Sequence, residues 1–361
     1  MDRGADVNLT GGKYGTALGA AVYCGRREVV ILLLDRGADV NLTGGKYGTA
    51  LGAAVYCGRL EAATILLNRG ADVNLTYGDS STALGAAAYQ GNVKTVTLLL
   101  DRGADINLTG GVYGTALGAA AYEGYIDIVT LLLDRAADVN LTSGDYGTAL
   151  GDAAYGGELE IVILLLGRGA NVNLTGGKYG TALGTAAYEG YLDIVTLLLD
   201  EGADVNLPGG DYGTALGAAA SGGELATAKL LLDRGADISL TGGKYGAALG
   251  NAAYEGYLDI VTLLLDRGAD VNLTSGDYGT ALGAAASGGE LETAKLLLDR
   301  GANLDLTNNT GARPRDLAEQ QGHQNIIHLL DSRCVARTPN EPTNNACPTR
   351  YGADPILNPS F

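Results

Sequence analysis

Apolar residues recur along this chain in a pattern that returns with a fixed period. One period, residues 176–208, reads GGKYGTALGTAAYEGYLDIVTLLLDEGADVNLP. Its first apolar group has helical spacing and predicts a short helix with one buried face: Leu183, Ala186 and Ala187. Its second apolar group has spacings of three and four residues and predicts a second helix: Leu192, Val195, Leu198 and Leu199.

Polar residues and glycines predict where the two helices begin and end. The Thr181 hydroxyl can accept a hydrogen bond from the first turn of the first helix. Gly190 occupies the position where a helix end favours a left-handed residue, and Gly202 ends the second helix. Residues 203–212 are rich in Gly, Asn and Asp, which predicts a tight extended turn. Two such short helices cannot bury their apolar faces alone, so each unit must stack on its neighbours.

The string G-T-A-L-G marks the units in strict register. It begins at Gly15, Gly48, Gly114, Gly147, Gly180, Gly213 and Gly279, and Ser81 and Gly246 begin variants of it. A tenth, divergent unit places residues 313–318 on the T-A-L-G-A-A columns. A longer period of two units is also visible, because units with GGEL alternate with units that read YEGY(I/L)DIVTLLLD.

The unit T-A-L-G-x-A-A-x-x-G-x-(L/I)-(E/D)-I-V-x-L-L-L-D-x-G-A-D-V-N resembles the ankyrin repeat over residues 1 to about 331. The resemblance implies an all-α solenoid of helix-turn-helix units joined by hairpin turns, each unit about 33 residues long. Residues 1–10 would form a partial repeat, residues 11–331 ten repeats of which the last is a cap, and residues 332–361 a disordered tail. The Y-G-T-A-L variant is most similar to arrays of filamentous fungi, which often follow a NACHT-type nucleotide-binding module.

The sequence also leads to a separate expectation for each end of the chain. Met1 aligns with Leu34, inside a second helix, so we expect residues 1–361 to be the remainder of a longer gene product or to reflect a misassigned start. Beyond Asp331 the period stops, and five of the seven prolines lie in the segment 332–361, which has few apolar anchors. That composition predicts disorder.

Two departures from the repeat pattern concern stability. The usual T-P-L-H becomes T-A-L-G, and a glycine inside a helix costs about 1 kcal/mol relative to alanine. Gly118→Ala or Gly184→Ala should therefore stabilise the chain, unless the neighbouring backbone approaches too closely for a methyl group.

The second departure is a tyrosine two residues before the threonine column. We expect these side chains to pack against helix ends, with ligand contact as the alternative: Tyr14, Tyr47, Tyr113, Tyr146, Tyr179, Tyr212, Tyr245 and Tyr278.

Composition narrows the choice of partner. The 41 acidic residues exceed the 24 Lys and Arg, giving a net charge of −17, which argues against nucleic acid. No apolar stretch approaches the length of a membrane span, and the start lacks a secretory leader. We therefore expect an intracellular, cytoplasmic protein that does not bind membranes. With one Phe and no Trp, Ala and Leu must fill the core.

Candidate catalytic and cofactor residues are scarce. His323 matches the repeat pattern and His328 has no evident third ligand, so we predict no metal site. No unit contains a phosphate-loop motif, and we predict no cofactor and no enzymatic activity. The acidic column at Asp39, which lies three residues after Arg36, indicates a solvated charge ladder more than paired catalytic carboxylates.

Two further residue types, cysteine and asparagine, could be covalently modified, by disulfide formation or by glycosylation. Cys24 and Cys57 share a column, and stacked helices lie about 8–10 Å apart, beyond the reach of a disulfide, so we predict free thiols. Cys334 and Cys347 could pair under oxidising conditions. The recurring Asn-Leu-Thr is formally a glycosylation sequon, but we interpret its asparagine as a turn residue of the repeat.

The surface left for binding is the concave side, to which the resemblance assigns the two residues before the glycine that ends each first helix. The candidate partner-binding residues of that column are Tyr23, Tyr56, Tyr89, Tyr122, Glu123, Tyr155, Tyr188, Glu189, Tyr254 and Glu255. At the turn tips, Lys178, Asp211 and Lys244 alternate in sign, which predicts weak attraction between neighbouring tips.

A tyrosine stripe with glutamates at its edge would suit a protein partner with apolar and basic residues. The alternative is a tyrosine column that only covers exposed backbone. The predicted function is a monomeric, non-catalytic scaffold that binds one protein partner. Two alternatives remain open: the sensor array of a larger signalling nucleoside triphosphatase, and a structural spacer without a specific partner.

Overall fold

The structure, a computed structural model, describes residues 6–76 and 82–335 of the chain. Within these ranges the helices come in pairs, one pair to each repeat. The first helices are α1 (Ala17–Tyr23), α3 (Ala50–Tyr56), α5 (Ala83–Tyr89), α7 (Ala116–Tyr122), α9 (Ala149–Gly156), α11 (Ala182–Glu189), α13 (Ala215–Gly222), α15 (Ala248–Glu255), α17 (Ala281–Gly288) and α19 (Pro314–Gln321). The second helices are α2 (Arg27–Asp35), α4 (Leu60–Asn68), α6 (Val93–Asp101), α8 (Ile126–Asp134), α10 (Leu159–Gly167), α12 (Leu192–Asp200), α14 (Leu225–Asp233), α16 (Leu258–Asp266), α18 (Leu291–Asp299) and α20 (Gln324–Val335).

Stacking of these pairs produces one continuous apolar core. First helices pack on the first helices of neighbouring units, and second helices on second helices. The main cluster of buried side chains extends from Leu18 to Leu330. The predicted solenoid of helix pairs is therefore confirmed. The one strand pair in the described ranges, β1 (Thr241–Gly242) with β2 (Gly246–Ala247), is antiparallel and lies within a hairpin turn.

The predicted helix ends are confirmed in the unit that contains α11 and α12. The Thr181 Oγ1 atom accepts a hydrogen bond of 2.9 Å from the backbone N–H of Gly184. Gly190 and Gly202 both have positive φ, at 77° and 88°. The apolar stripe of α12 needs one correction, because Leu192 lies in the first turn and is 41% exposed. Ile194 is buried instead.

Backbone hydrogen bonds join the turn tips of neighbouring units. The N–H of Lys178 donates to the carbonyl of Asp145, and the N–H of Asp211 donates to the carbonyl of Lys178, both at 2.7 Å. The series continues through Lys244 to Asp277. At its end the side-chain amide of Asn308 donates to the carbonyl of Asp277 at 2.8 Å, which satisfies the last acceptor of the series.

Glycine is required at two kinds of position by the close approach of other backbone atoms. Gly147 has φ of 86°, and a Cβ there would lie 2.5 Å from the carbonyl carbon of Gly176 in the next unit. Inside α11, a Cβ on Gly184 would overlap the carbonyl oxygen of Tyr179. Of the two alternatives for the helix glycines, the structure supports close backbone approach at Gly184, since the Tyr179 carbonyl occupies the space of the methyl group.

Arginine–aspartate pairs form a ladder, but with a different register from the predicted one. Arg168 Nη1 lies 3.0 Å from Asp134 Oδ1, and the pairs recur with a separation of 34 residues, from one unit to the next. Asp39 does not pair with Arg36; its carboxylate accepts from the backbone N–H of Asn41 at 2.9 Å. The ladder is solvent-exposed, so each pair contributes about 0–1 kcal/mol.

The asparagine of each Asn-Leu-Thr binds the next unit. Asn140 Oδ1 accepts from the N–H of Asn171 at 2.7 Å, and its Nδ2 donates to the carbonyl of Gly169 at 3.1 Å. The side-chain amide thus accepts one hydrogen bond and donates another to the backbone of the next unit. The interpretation of this column as a turn residue is therefore confirmed.

The cysteines and the chain ends complete the description. Cys24 and Cys57 are free thiols, as predicted. Helix α20 continues to Val335, past the predicted end of the array at Asp331. Cys334 lies in this helix, whereas residues 1–5 and most of the predicted tail, with Cys347, lie outside the described residues.

Gly184→Ala is expected to lower the free energy of unfolding by about 1–3 kcal/mol, the usual cost of overpacking. Urea titration would measure it. Gly167→Ala is the matched control, because Gly167 ends α10 and a Cβ there would meet no described atom within 4 Å. It should be neutral, or stabilising by up to about 1 kcal/mol from helix propensity. Equal effects of the two substitutions would contradict this interpretation of the glycine column.

Candidate binding surface

Tyrosine rings from the hairpins and from the ends of the first helices stack into one row. Tyr146 and Tyr155 have ring centroids 4.1 Å apart, and Tyr155 lies 5.9 Å from Tyr179 in the next unit. Tyr179 then lies 4.8 Å from Tyr188, which lies 5.1 Å from Tyr212. We call this row the tyrosine ladder; its rings are Tyr14, Tyr23, Tyr47 and Tyr56, followed by Tyr89, Tyr113, Tyr122, Tyr146, Tyr155, Tyr179, Tyr188, Tyr212, Tyr245, Tyr254 and Tyr278.

The two tyrosine columns differ in exposure. Hairpin tyrosines such as Tyr179 and Tyr212 are only 6% and 8% exposed. Their predicted packing at helix ends is confirmed, because the rings lie against the tyrosines that end the first helices. Tyr122, Tyr155 and Tyr188 of the helix column are half-buried. Each of them therefore contributes to packing and also leaves part of its ring on the surface.

Burial favours the neutral form of two rings of the ladder, Tyr188 and Tyr245. Burial, followed by the neighbouring Tyr212, raises the pKa of Tyr188 to about 12. Burial, followed by Tyr254, also raises the pKa of Tyr245 to about 12. These two hydroxyls therefore remain protonated at physiological pH, and the charges beside them come from neighbouring side chains.

Two of the predicted glutamates, Glu189 and Glu255, each lie near a second glutamate from the next unit. Burial and then the charge of Glu224 raise the pKa of Glu189. Two units further along the array, burial and then Glu290 raise the pKa of Glu255, although Lys244 partly opposes the shift. The like charges lie close enough to oppose each other, which makes this edge of the ladder strongly acidic.

One column of this surface escaped the sequence analysis. The residue before each second helix covers the glycine that ends the first helix of the preceding unit. The Tyr191 ring lies 3.0 Å from the position of a Cβ on Gly157, and the Glu224 carboxylate covers Gly190 in the same way. Tyrosine and glutamate alternate in the column, which explains the two-unit period of the sequence: Tyr125, Glu158, Tyr191, Glu224, Tyr257 and Glu290.

The lysines at the turn tips lie over the ladder. Lys178 Nζ is 5.5 Å from the ring centroid of Tyr179 and 5.8 Å from that of Tyr212. Lys244 Nζ is 5.3 Å from the centroid of Tyr245. These distances permit cation–π attraction. Between the described tips no ion pair joins Asp211 to either lysine, so the predicted attraction of alternating charges is replaced by contacts with rings and by backbone hydrogen bonds.

One carboxyl group is buried beneath this surface. Asp152 lies on α9 in a column that is mostly alanine, and its side chain is directed at Gly118 of the preceding unit. Its Oδ1 atom has no hydrogen-bond partner among the described residues. Burial, followed by the charge of Asp145, raises the pKa of Asp152 well above its usual range. Asn251 occupies the same column, and its amide donates to the carbonyl of Ala247 at 3.2 Å.

His323 and His328 belong to no metal-ligand group within residues 6–76 and 82–335. His323 Nε2 lies 3.1 Å from the carbonyl oxygen of Ser287, a structural contact between units. No group of three or more His, Cys, Asp or Glu side chains in the described ranges could hold a metal ion. None of the helices described is long and apolar enough to cross a bilayer.

Comparison with known proteins agrees with this geometry. A family model described as ankyrin repeats (3 copies) matches residues 1–77, 73–143, 117–209, 150–242 and 249–336. A search of curated proteins finds none that matches the chain. The family match covers well over half of the sequence.

Asp152→Asn is expected to stabilise the array at neutral pH, because the amide has no charge to bury. A raised folded-state pKa gives stability that is complete below the unfolded-state value of about 3.9 and is lost as the pH rises through the folded-state value. The urea midpoint of the unmodified chain should therefore fall relative to that of the variant as the pH rises above the unfolded-state value of about 3.9.

Asn251→Asp is the matched control, since it places a carboxyl group in the same buried column. This variant should acquire a midpoint that falls with pH. If the unmodified chain and Asp152→Asn respond to pH in the same way, the buried carboxyl group does not carry the effect.

Proposed function

Because the chain belongs to the ankyrin-repeat family, we propose that it is a non-catalytic array that binds a protein partner along the tyrosine ladder. Ankyrin repeats generally mediate protein–protein interaction. The observation that carries the proposal is the ladder itself, whose rings are fixed by stacking and partly exposed on one face. Fixed rings lose little conformational entropy when a partner binds.

Charge supports a partner with basic groups. Glu123 and Glu189 lie beside the half-buried rings of Tyr122 and Tyr188, and Glu255 beside Tyr254. The acidic pairs recur every second unit, and the whole chain has a net charge of −17. Such a field attracts cationic partners and speeds their encounter, especially at low salt. We therefore propose a partner that presents both apolar and basic side chains.

The two alternative roles make different predictions for the same surface. A sensor array of a larger signalling protein would also bind its ligand on the ladder, so the two binding roles share their residues. A spacer would show no saturable binding, and substitutions in the ladder would change stability alone. Measurement of saturable binding therefore separates the spacer from the other two.

Tyr122→Ala combined with Tyr188→Ala is expected to abolish retention of the partner, because large rings dominate binding at such surfaces. Proteins captured on the immobilised full chain would be quantified by mass spectrometry, with circular dichroism as the check on folding. Thr130→Ala combined with Thr196→Ala is the matched control. Both threonines lie on the second helices of the same units and bond only to their own helix, at 2.7 Å. Retention unchanged by the tyrosine substitutions would place the site elsewhere.

Glu123→Gln, Glu189→Gln and Glu255→Gln together should weaken partner binding about tenfold at low salt, since exposed charge pairs contribute about 0.2–1 kcal/mol each. The affinity should also become less dependent on salt. Affinity would be measured by titration at several salt concentrations. The charge-matched control replaces three exposed glutamates on or beside the second helices, Glu28, Glu160 and Glu201. An equal loss in the control would indicate net charge rather than a local acidic edge.

A further inference from the structure

One cavity of this surface is lined by three tyrosine rings and three carboxylates. It has a volume of about 430 Å³ and lies at the ends of the first helices of three successive units, all of them within the described ranges. We call it the tyrosine–glutamate cavity; its side chains, all half-buried, are those of Tyr122, Tyr155 and Tyr191 with Glu123, Glu158 and Glu189.

Packing fixes the rings of this cavity. The Tyr122 and Tyr155 rings stack with centroids 5.8 Å apart and an interplanar angle of 20°. Tyr155 also stacks on the hairpin ring of Tyr146, with centroids 4.1 Å apart. The Tyr191 ring covers Gly157 of the preceding unit, 3.0 Å from the position that a Cβ would take there. A ligand in the cavity therefore meets rings that need little further ordering when it binds.

The carboxylates of the cavity have no basic partner in the part of the chain that the structure describes. No described Lys or Arg side chain lines the cavity. None of the ion pairs between described residues includes Glu123, Glu158 or Glu189. Burial and then the charge of Glu224 raise the pKa of Glu189. A cation bound in the cavity would balance carboxylates that the described residues leave without a counter-charge.

The groups around this cavity suit a guanidinium better than other cations. A guanidinium is planar, so it stacks on tyrosine rings, and its paired N–H groups donate to carboxylates. A lysine ammonium has no planar face, and a quaternary ammonium has no N–H group to donate to the carboxylates. The three glutamates form no metal-ligand group among the described residues, which argues against a bare metal ion.

We infer that the tyrosine–glutamate cavity binds one arginine side chain of the protein partner. The guanidinium stacks on the rings and donates hydrogen bonds to the carboxylates, whose charge it balances in part. The inference rests on the proposed function and deepens it, because it names the basic group that the array recognises and the place where that group binds.

The sequence two units along the array shows which residue distinguishes this cavity. The equivalent residues there are Tyr188, Glu189, Ser221, Glu224, Glu255 and Tyr257. That place keeps three glutamates and two tyrosines, but a serine occupies the position of Tyr155. Replacement of Tyr155 by serine therefore tests the contribution of ring stacking while every glutamate stays in place.

Binding of a defined probe tests the site directly. A Gly-Ser peptide with one central Arg and blocked ends would be titrated into the full chain with isotope-labelled tyrosine rings, and NMR would record the ring signals. The Arg peptide should shift the signals of Tyr122, Tyr155 and Tyr191 saturably. The same peptide with citrulline keeps the planar shape without the charge and should bind about tenfold more weakly. Equal affinity for the citrulline peptide, or for a lysine peptide, would contradict a guanidinium site.

Two substitutions separate charge from stacking. Glu158→Gln should weaken binding of the Arg peptide about three- to tenfold, because one charge-assisted hydrogen bond is lost. The Glu158 side chain makes no capping hydrogen bond to α10, so the helix should remain intact. Tyr155→Ser should weaken binding about two- to tenfold through loss of one ring. If Tyr155→Ser fails to fold, as circular dichroism would show, Glu158→Gln still tests the inference.

Matched controls lie in the same two columns several units away. Glu290→Gln and Tyr254→Ser should each leave the affinity for the Arg peptide within about twofold of that of the unmodified chain. Losses in these controls equal to those at the cavity, or undiminished binding in a folded Glu158→Gln variant, would overturn the arginine site.

Other sources of the same chemical group give different results. The chain's own arginines outside the described residues are Arg3, Arg337 and Arg350. Arg3→Ala, Arg337→Ala and Arg350→Ala together, in the full chain, should leave the affinity for the Arg peptide within about twofold. A manyfold increase would show that an arginine of the chain itself fills the cavity, against the inference. Free L-arginine that binds more tightly than the peptide would indicate a small-molecule site, also against it.

Partner capture separates this inference from the proposed function. Reduced retention in Glu158→Gln as well as in Tyr122→Ala with Tyr188→Ala would support both. Retention lost in the tyrosine variant but kept in Glu158→Gln would overturn the arginine site and leave the proposed function standing. Retention kept in both variants would overturn both.

Discussion

Contact between glycine backbones of neighbouring hairpins sets the distance between units, and the rest of the structure depends on that distance. Gly147 lies so close to Gly176 that a Cβ on Gly147 would overlap the Gly176 backbone. At this spacing the N–H of Lys178 reaches the carbonyl of Asp145 at 2.7 Å, and the rings of Tyr146 and Tyr179 stack at 6.0 Å. A wider spacing would break the hydrogen bond and the ring stack together, so the surface and the scaffold are set by the same contact.

The hairpin tyrosine links stability to the binding surface. Its carbonyl oxygen lies against the glycine inside the following helix, as Tyr179 does against Gly184, and its ring forms part of the ladder. The hairpin residue therefore contributes to the scaffold through its backbone carbonyl and to the ladder through its ring. A chain with this arrangement replaces a hydrogen-bonding histidine by backbone packing, and it gains a row of fixed aromatic rings.

Local features of the fold could be predicted from the sequence, because they depend on neighbouring residues. The Thr181 cap, the left-handed Gly190 and the buried Ala186 follow from helix geometry and from the repeat period. Contacts between units could not be placed in the same way. Arg168 pairs with Asp134 of the preceding unit, and Tyr191 covers Gly157, because stacking brings together residues whose separation no single unit reveals.

Hydrogen exchange at the hairpin tips tests the account most directly, because it reports whether neighbouring units are held at the fixed spacing on which the binding surface depends. The backbone amides of Asp145, Lys178, Asp211, Lys244 and Asp277 each donate to the preceding tip. If the units are held as described, these amides exchange slowly, with protection close to that of the buried helices. Exchange of the tip amides at the rate of an unfolded chain, while the helices remain protected, would contradict a continuous, rigid ladder.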